Sequence, residues 1–320
     1  MRVLSGVQPS GKLHIGNYFG AIRQFIELQD EHECFYFLAD YHALTTVQDP
    51  GSLKSLVSDL AAAFLAFGLD PSRSIIYRQS DIPEIPELMW YLSTVTSMGL
   101  LQRCHSFKDK VSQGLVPNHG LFAYPVLMAA DILIVNSDLV PVGKDQKQHL
   151  EVTRDIAGAF HASFETEVFT LPKPMILEKV AVVPGLDGRK MSKSYGNTID
   201  IFGAEKAIRK RIMSITTDST PVEDAKPKEG SLYELAKVFA PTGEEAWVEK
   251  AFGEGGTGYG TIKKKVFEWF LEVFAPARER FDELSHAPEE VEAVLVDGAE
   301  RAREVIVPLM DSVRRATGIR

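Results

Sequence analysis

The chain has 320 residues, 45% hydrophobic and 25% charged, the proportions of a water-soluble globular protein with room for one large domain and a smaller one. A formal net charge of -9 means the surface as a whole repels nucleic acid, so RNA contact needs local basic patches. No apolar run reaches membrane-spanning length, Met1-Arg2 leads straight into a strand-like run rather than a signal peptide, and Cys34 and Cys104 lack zinc or disulfide spacing, all as expected of a cytoplasmic protein.

Val3 to Val7 is a short β-rich run and Tyr18 to Leu28 an amphipathic one. Between them lies Pro9-Ser10-Gly11-Lys12-Leu13-His14-Ile15-Gly16-Asn17, which predicts a strand, a glycine turn and a helix start. Unpaired N–H groups and the partial positive charge of a helix start suit phosphate there, and His14 and Asn17 add side-chain donors on one side of the turn. The plain alternative is an ordinary turn with a solvated histidine.

Cys34 to Ala39 reads as a buried strand and Ser52 to Phe67 as a helix, with Ser52 as its cap and Gly68 as its stop. Ser74 to Tyr77 predicts a further strand and Pro86 to Met98 a further helix. Apolar strands separated by helices imply a parallel sheet covered on both faces, an α/β fold whose ligands sit beyond the strand C-terminal ends. Gln8 to Asn17, Asp40 to His42 and Gln79 to Asp81 all fall at those ends. No GxGxxG follows the first strand, which argues against a nicotinamide cofactor. His42 either contacts a bound small molecule or bonds its neighbours in the turn; its position favours the contact.

Residues 100 to 120 read as a helix end and a mobile loop whose lysines, Lys108 and Lys110, form a solvated charge cluster by default. Leu121 to Val135 is then almost wholly apolar except for Asp131. On a helix, Tyr124, Met128 and Asp131 share a face. A lone carboxylate among apolar residues needs a donor. Either a neighbouring group of the protein supplies it or the ligand does, and an apolar pocket with one acceptor suits an indole, whose only polar group is an N–H. Such a pocket discriminates against rings without a donor by ~10⁴-fold or more, although a tyrosine hydroxyl also donates.

Farther on, Gly188-Arg189-Lys190-Met191-Ser192-Lys193-Ser194-Tyr195-Gly196 places two lysines and two serines in a loop bounded by glycines, where a polyphosphate can lie. Together with the stretch at residues 9–17 it resembles the HIGH and KMSKS signatures of class I aminoacyl-tRNA synthetases. Met128-Ala129-Ala130-Asp131-Ile132-Leu133, followed by Pro141 to Asp155, narrows the resemblance to the tryptophanyl-tRNA synthetase family. The likeness is close over residues 2 to about 215 and looser beyond.

The resemblance implies a Rossmann-like doubly wound parallel sheet of the HUP type with a C-terminal all-helical domain. It divides the chain into a catalytic domain at 1–187 with a dimer-forming insertion near 80–120, the KMSKS loop at 188–196, an anticodon-binding domain at 197–285 and a helix at 286–320 that returns to the catalytic domain. It further implies that L-tryptophan, ATP with Mg²⁺, and tryptophan tRNA are the partners of a homodimer. Gln8, Asn17, Lys110, Lys190 and Lys193 are the expected catalytic residues. Gln8, Pro9, Ser10, His14, Gly16, Asn17, Gly143, Lys144, Asp145, Val182, Lys190, Met191, Ser192, Lys193 and Ser194 are expected at ATP, with no metal ligand from the protein. Leu4, His42, Tyr124, Met128, Asp131, Val140, Val142 and Gln146 are expected at the amino acid. Lys144 stands where the family commonly has glutamate, and Leu4 where many members have an aromatic residue, which leaves one wall of the pocket less stacked.

Beyond Gly196 the residues predict helices at Ala204 to Ser214, Ser231 to Phe239, Glu244 to Phe252, Thr261 to Phe274 and Pro288 to Thr317. Gly253 to Gly260 reads as a connector, since no GK[ST] follows. Lys263-Lys264-Lys265 reads as a solvated helix start that can also meet RNA phosphates. Two other functions fit the residues: the sister synthetase for tyrosine, and a catalytically silent paralogue that binds RNA or protein.

Overall fold

The structure, a computed structural model, describes residues 1–104, 118–143, 147–176 and 183–319. Among them, five parallel strands lie in the order β3-β2-β1-β4-β5: β1 (Arg2–Val7), β2 (Glu33–Leu38), β3 (Ser74–Arg78), β4 (Leu139–Val142) and β5 (Lys173–Ile176). The chain winds outward from β1 to β3 and then crosses back to β4. That reversal opens a crevice beyond the C-terminal ends of β1 and β4, where ligands of doubly wound sheets bind. In β2 every residue after Glu33 is buried, with no alternation, because helices cover both faces.

The first turn starts α1 (Ile15–Asn17), which runs through a π-helical stretch, Tyr18–Ile22, into α2 (Arg23–Leu28). After β2 come α3 (Asp40–Ala43) and α4 (Pro50–Ala66). Ser52 is not the cap of α4: its N–H donates to Asp49 Oδ2 at 2.7 Å, and Asp49-Pro50 pairs a strong cap with a proline at the first helical position. Gly68, at φ +101°, ends the helix as expected. The helix expected over Pro86 to Met98 is instead two, α5 (Glu84–Val95) and α6 (Met98–Arg103), because Ser97 accepts from the Leu100 N–H and restarts the spiral. Asn118 caps α7 (His119–Ile134), and α8 (Lys147–Phe164) follows β4.

The rest is helical: α9 (Glu205–Met213), α10 (Ser231–Phe239), α11 (Glu245–Gly253), α12 (Tyr259–Ser285) and α13 (Pro288–Thr317). α12 does not stop at Phe274 but carries Pro276 inside it, since Phe270, Phe274 and Ala277 are all buried and packing outweighs the lost hydrogen bond. Lys263 is not solvated: it is 9% exposed, and its ammonium donates to Ile215 O at 2.6 Å and Met213 O at 3.3 Å, just past the C-terminal end of α9. α13 packs across β3 so closely that a Cβ on Gly298 would sit 1.8 Å from Ile76 O.

Three apolar clusters hold these layers. One lies on each face of the sheet. The third joins Ile15 and Phe19 of the first signature to Met191 of the second and to α9–α12, so two stretches far apart in sequence share one core. Most of the burial that holds them together comes from that helical half.

Candidate active site

Beyond the C-terminal ends of β1 and β4 lies a cavity of about 290 Å³. β1 supplies Leu4, Gly6 and the following Gln8; α7 supplies Tyr124, Met128 and Asp131; β4 supplies Val140 and Val142. Gly6 is required: its Cβ would fall 2.4 Å from the Phe37 ring, so the absence of a side chain lets that ring lie flat against β1 and wall the cavity. Phe37 in turn stacks on Tyr77, with centroids 5.9 Å apart. An aromatic wall is therefore present despite Leu4, which itself lines the cavity at 1% exposure.

Asp131 is 1% exposed and is not left waiting for a ligand. His42 Nε2 meets Oδ2 at 2.8 Å, and Gln79 Nε2 donates to Oδ1 at 2.8 Å. Burial raises its pKa, opposed by the His42 hydrogen bond and charge and by Gln79. Each oxygen keeps a second lone pair, so the carboxylate can still accept from the cavity. His42 lines the same cavity edge-on to Tyr124, with ring centroids 6.3 Å apart, and its ring bonds Asp131 of α7 rather than its neighbours in the turn. Phe37, Gln79 and His149, another lining residue, carried no signal in the sequence beyond their place near a strand end or a motif.

Gln8 borders this cavity and a second one of about 260 Å³. Its amide donates to His42 O at 3.3 Å and Thr46 Oγ1 at 3.2 Å, tying the end of β1 to the turn after β2. Pro9, Ser10, Gly11, Lys12 and Asn17 line the second cavity together with Lys193, Asp59 and Asp200. Lys193 reaches back across the chain to donate to Gly11 O at 3.0 Å. Its pKa is lowered by burial of the ammonium, with the Asp200 charge opposing.

His14 is not a solvated donor. Its ring is buried, Nδ1 has no hydrogen-bond partner among the described residues, and burial followed by the Lys193 charge lowers its pKa to about 4, so it is neutral at pH 7. Asn17 Oδ1 accepts from the His14 N–H at 3.1 Å, which spends that oxygen on the turn. Gly16 is needed because a Cβ there would lie 3.0 Å from His14 Nδ1 and 3.3 Å from Met191 Cβ. The two signatures thus touch at Gly16, and Ile15 N–H to Ile199 O (3.1 Å) and Ile201 N–H to Leu13 O (3.1 Å) stitch them on either side.

The second loop hangs on Asn197, buried at 3%. Its amide donates to Asp187 Oδ1 (2.7 Å) and Lys190 O (3.3 Å) and accepts from the Ser192 N–H (2.8 Å). The Asn197 bond, followed by those from Arg189, holds the Asp187 carboxyl down to about 2. Arg211 grips the far end through Gly196 O and Thr198 O. Ser192 is half-buried, while Lys190 and Ser194 are exposed; these three, with His14, Gly16 and Met191, line neither cavity. Gly143 follows β4, half-buried. Lys110, Lys144, Asp145, Gln146 and Val182 lie outside the described residues.

A family model for class I tRNA synthetases of tryptophan and tyrosine (W and Y) matches residues 1–275, and the chain belongs to that family. It is 54% identical over 321 residues, the full length of both chains, to a tryptophan–tRNA ligase of Rhodopirellula baltica, and 48% identical to that of Fusobacterium nucleatum over 99% of this chain and 98% of the other. Its structure is similar to the crystal structure of tryptophanyl-tRNA synthetase from Campylobacter jejuni complexed with ADP and tryptophan, with a TM-score of 0.95 and 48% identity over 99% of this chain and 100% of that one.

Proposed function

We infer that this chain is a tryptophan–tRNA ligase, which activates L-tryptophan with ATP and transfers it to tryptophan tRNA. The observation that carries the amino-acid choice is Asp131, a buried carboxylate on a cavity walled by Leu4, Phe37, Met128, Val140 and Val142 that meets the signature cleft at Gln8. The full-length likeness to tryptophan–tRNA ligases supports the same reading.

In the first step a carboxylate oxygen of tryptophan attacks the α-phosphorus of ATP in line; an acyl–phosphate bond forms, the bond to the bridging oxygen breaks, and pyrophosphate leaves with the electron pair. In the second, the terminal ribose hydroxyl of the tRNA takes the acyl group and AMP departs. No enzyme nucleophile is needed, so the protein contributes position and charge. Asp131 accepts the indole N–H while Tyr124, Met128, Val140 and Val142 enclose the ring. Gln8, at the junction of the two cavities, stands where the carboxylate and α-phosphate meet. Lys193 and Lys190 take up charge developing on pyrophosphate, with Lys110 assigned to the same role by resemblance.

Mg²⁺ arriving with the nucleotide would neutralise charge on the triphosphate. Exposed Lys206, Arg209 and Lys210 on α9 offer RNA phosphates a local positive face on a negative protein. A homodimer with residues near 80–120 at the interface belongs to the same proposal; Trp90 and Met98, in that segment, are 72% and 62% exposed. No described helix is long and apolar enough to cross a membrane, and a cytoplasmic setting belongs to this proposal.

Pyrophosphate exchange with each proteinogenic amino acid tests it. Exchange is expected with tryptophan; exchange with tyrosine instead would make this the sister enzyme, and none with any amino acid would leave a catalytically silent binding protein.

A further inference from the structure

We propose that Gln79 is a positioning residue for amino-acid selection, holding Asp131 as an obligate hydrogen-bond acceptor toward the cavity and thereby setting the preference for a ring N–H. The inference rests on the tryptophan reading above and adds the residue that makes Asp131 selective.

Gln79 directly follows β3, opens the Gln79–Asp81 turn and is wholly buried. Its amide has one possible sense. Oε1 lies 3.1 Å from Tyr41 N, a backbone N–H that can only donate, so the amino group is the end that faces Asp131 Oδ1 at 2.8 Å. The N–H of Tyr41 is itself fixed, since Asp40 Oδ1 accepts from both Tyr41 N and Ser80 N at 3.0 Å and thus locks the ends of β2 and β3 together. On the other side of the carboxylate, His42 Nε2 approaches Oδ2 at 2.8 Å and carries hydrogen when Asp131 is ionised. Among the described residues the Tyr77 hydroxyl, buried in the same region, has no hydrogen-bond partner and so does not supply a third donor.

Protons therefore point at Asp131 from both flanks, and it has only lone pairs to offer the cavity. A ring that donates is satisfied there, whereas a ring that can only accept is repelled. Burial alone pushes a carboxyl toward its neutral form, and a neutral carboxyl both donates and accepts. Without the Gln79 amide the sense of the site is no longer determined.

The test crosses two variants with two amino acids. Gln79→Leu removes the donor. Gln79→Glu keeps the shape and the acceptor for Tyr41 N–H but sets two carboxyls face to face, so that one of them holds a proton. Tryptophan is compared with benzothienylalanine, in which sulfur replaces the ring N–H, by the kcat and KM of pyrophosphate exchange. Wild type is expected to prefer tryptophan by ~10⁴-fold or more. Each folded variant is expected to lose at least ~10-fold of that preference, through the KM for tryptophan and with kcat within ~3-fold of wild type. If Gln79→Leu fails to fold, the isosteric Gln79→Glu decides. An equal loss for both amino acids would mean that Gln79 merely packs, and an unchanged ratio would remove it from selection; either overturns the proposal. Wild-type exchange with tryptophan is the control, and its absence would overturn the functional reading itself.

Discussion

Asp131 is 1% exposed, with donors from the ends of β2 and β3 on both its oxygens, whereas Lys190 and Lys193 are exposed residues, Lys193 with its ammonium turned into the cleft, and their loop is held through its backbone by Asn197 and Arg211. The amino-acid cavity is built like a core and the lysine loop like a surface strap. The difference follows from their tasks. Telling one ring from another needs a polar group that costs free energy when unpaired, and that cost exists only where water is excluded. Neutralising a triphosphate needs cations that meet charge as it develops, which lysines on a surface loop reaching into the cleft can do.

If the division holds, substitutions on the two sides separate into two kinetic signatures. The largest effect is expected for Lys193→Ala, which should slow adenylate formation by at least ~10²-fold, or ~3 to 4 kcal/mol in the transition state, with tryptophan affinity little changed. Single-turnover kinetics with separate tryptophan binding measure both, and an equal loss in ground-state binding would erase the proposed split.

Next is acid sensitivity at the junction of the signatures. His14 has a folded pKa of about 4 against an ordinary 6.5, so as pH falls from 6.5 toward 4 the unfolded chain takes up a proton that the folded chain refuses. About 3 kcal/mol of stability present above pH 6.5 should be lost across that window. Asp131 pulls the other way, since its raised pKa favours the folded state at low pH. The urea-unfolding difference between wild type and His14→Gln at pH 7 and pH 4.5 isolates the histidine; parallel losses in the two proteins would contradict a buried neutral ring.

Asp131→Asn should cost ~1.5 to 3 kcal/mol in kcat/KM for tryptophan, chiefly through KM, because it places an amide N–H against the His42 or Gln79 donor. A fall in kcat alone would put Asp131 on the wrong side of the division. Asn197→Ala is the mildest, ~1 to 2 kcal/mol in adenylate formation, since it removes three hydrogen bonds that shape the lysine loop but no group that meets substrate. Calorimetric tryptophan affinity should stay within ~2-fold.

Local chemistry was legible from the chain alone. Apolar runs without alternation announced the parallel strands, glycines announced the turns, and the spacing of Tyr124, Met128 and Asp131 placed them on one helical face, as α7 bears out. Errors fell where packing overrides propensity, at Pro276 inside α12 and at Lys263 beneath α9. The four-residue strands β4 and β5 carried too few residues to announce themselves.

Tertiary structure alone decided what Asp131 touches. His42 and Gln79 lie far from it in sequence and meet it only because β2 and β3 end beside α7. It also decided that the two signatures share a core, since the burial that joins Ile15 to Met191 comes from helices encoded after both. Periodicity reports which face of an element is apolar; it does not report which other face will cover it, and that pairing is where donors, buried charges and the exclusion of water are set.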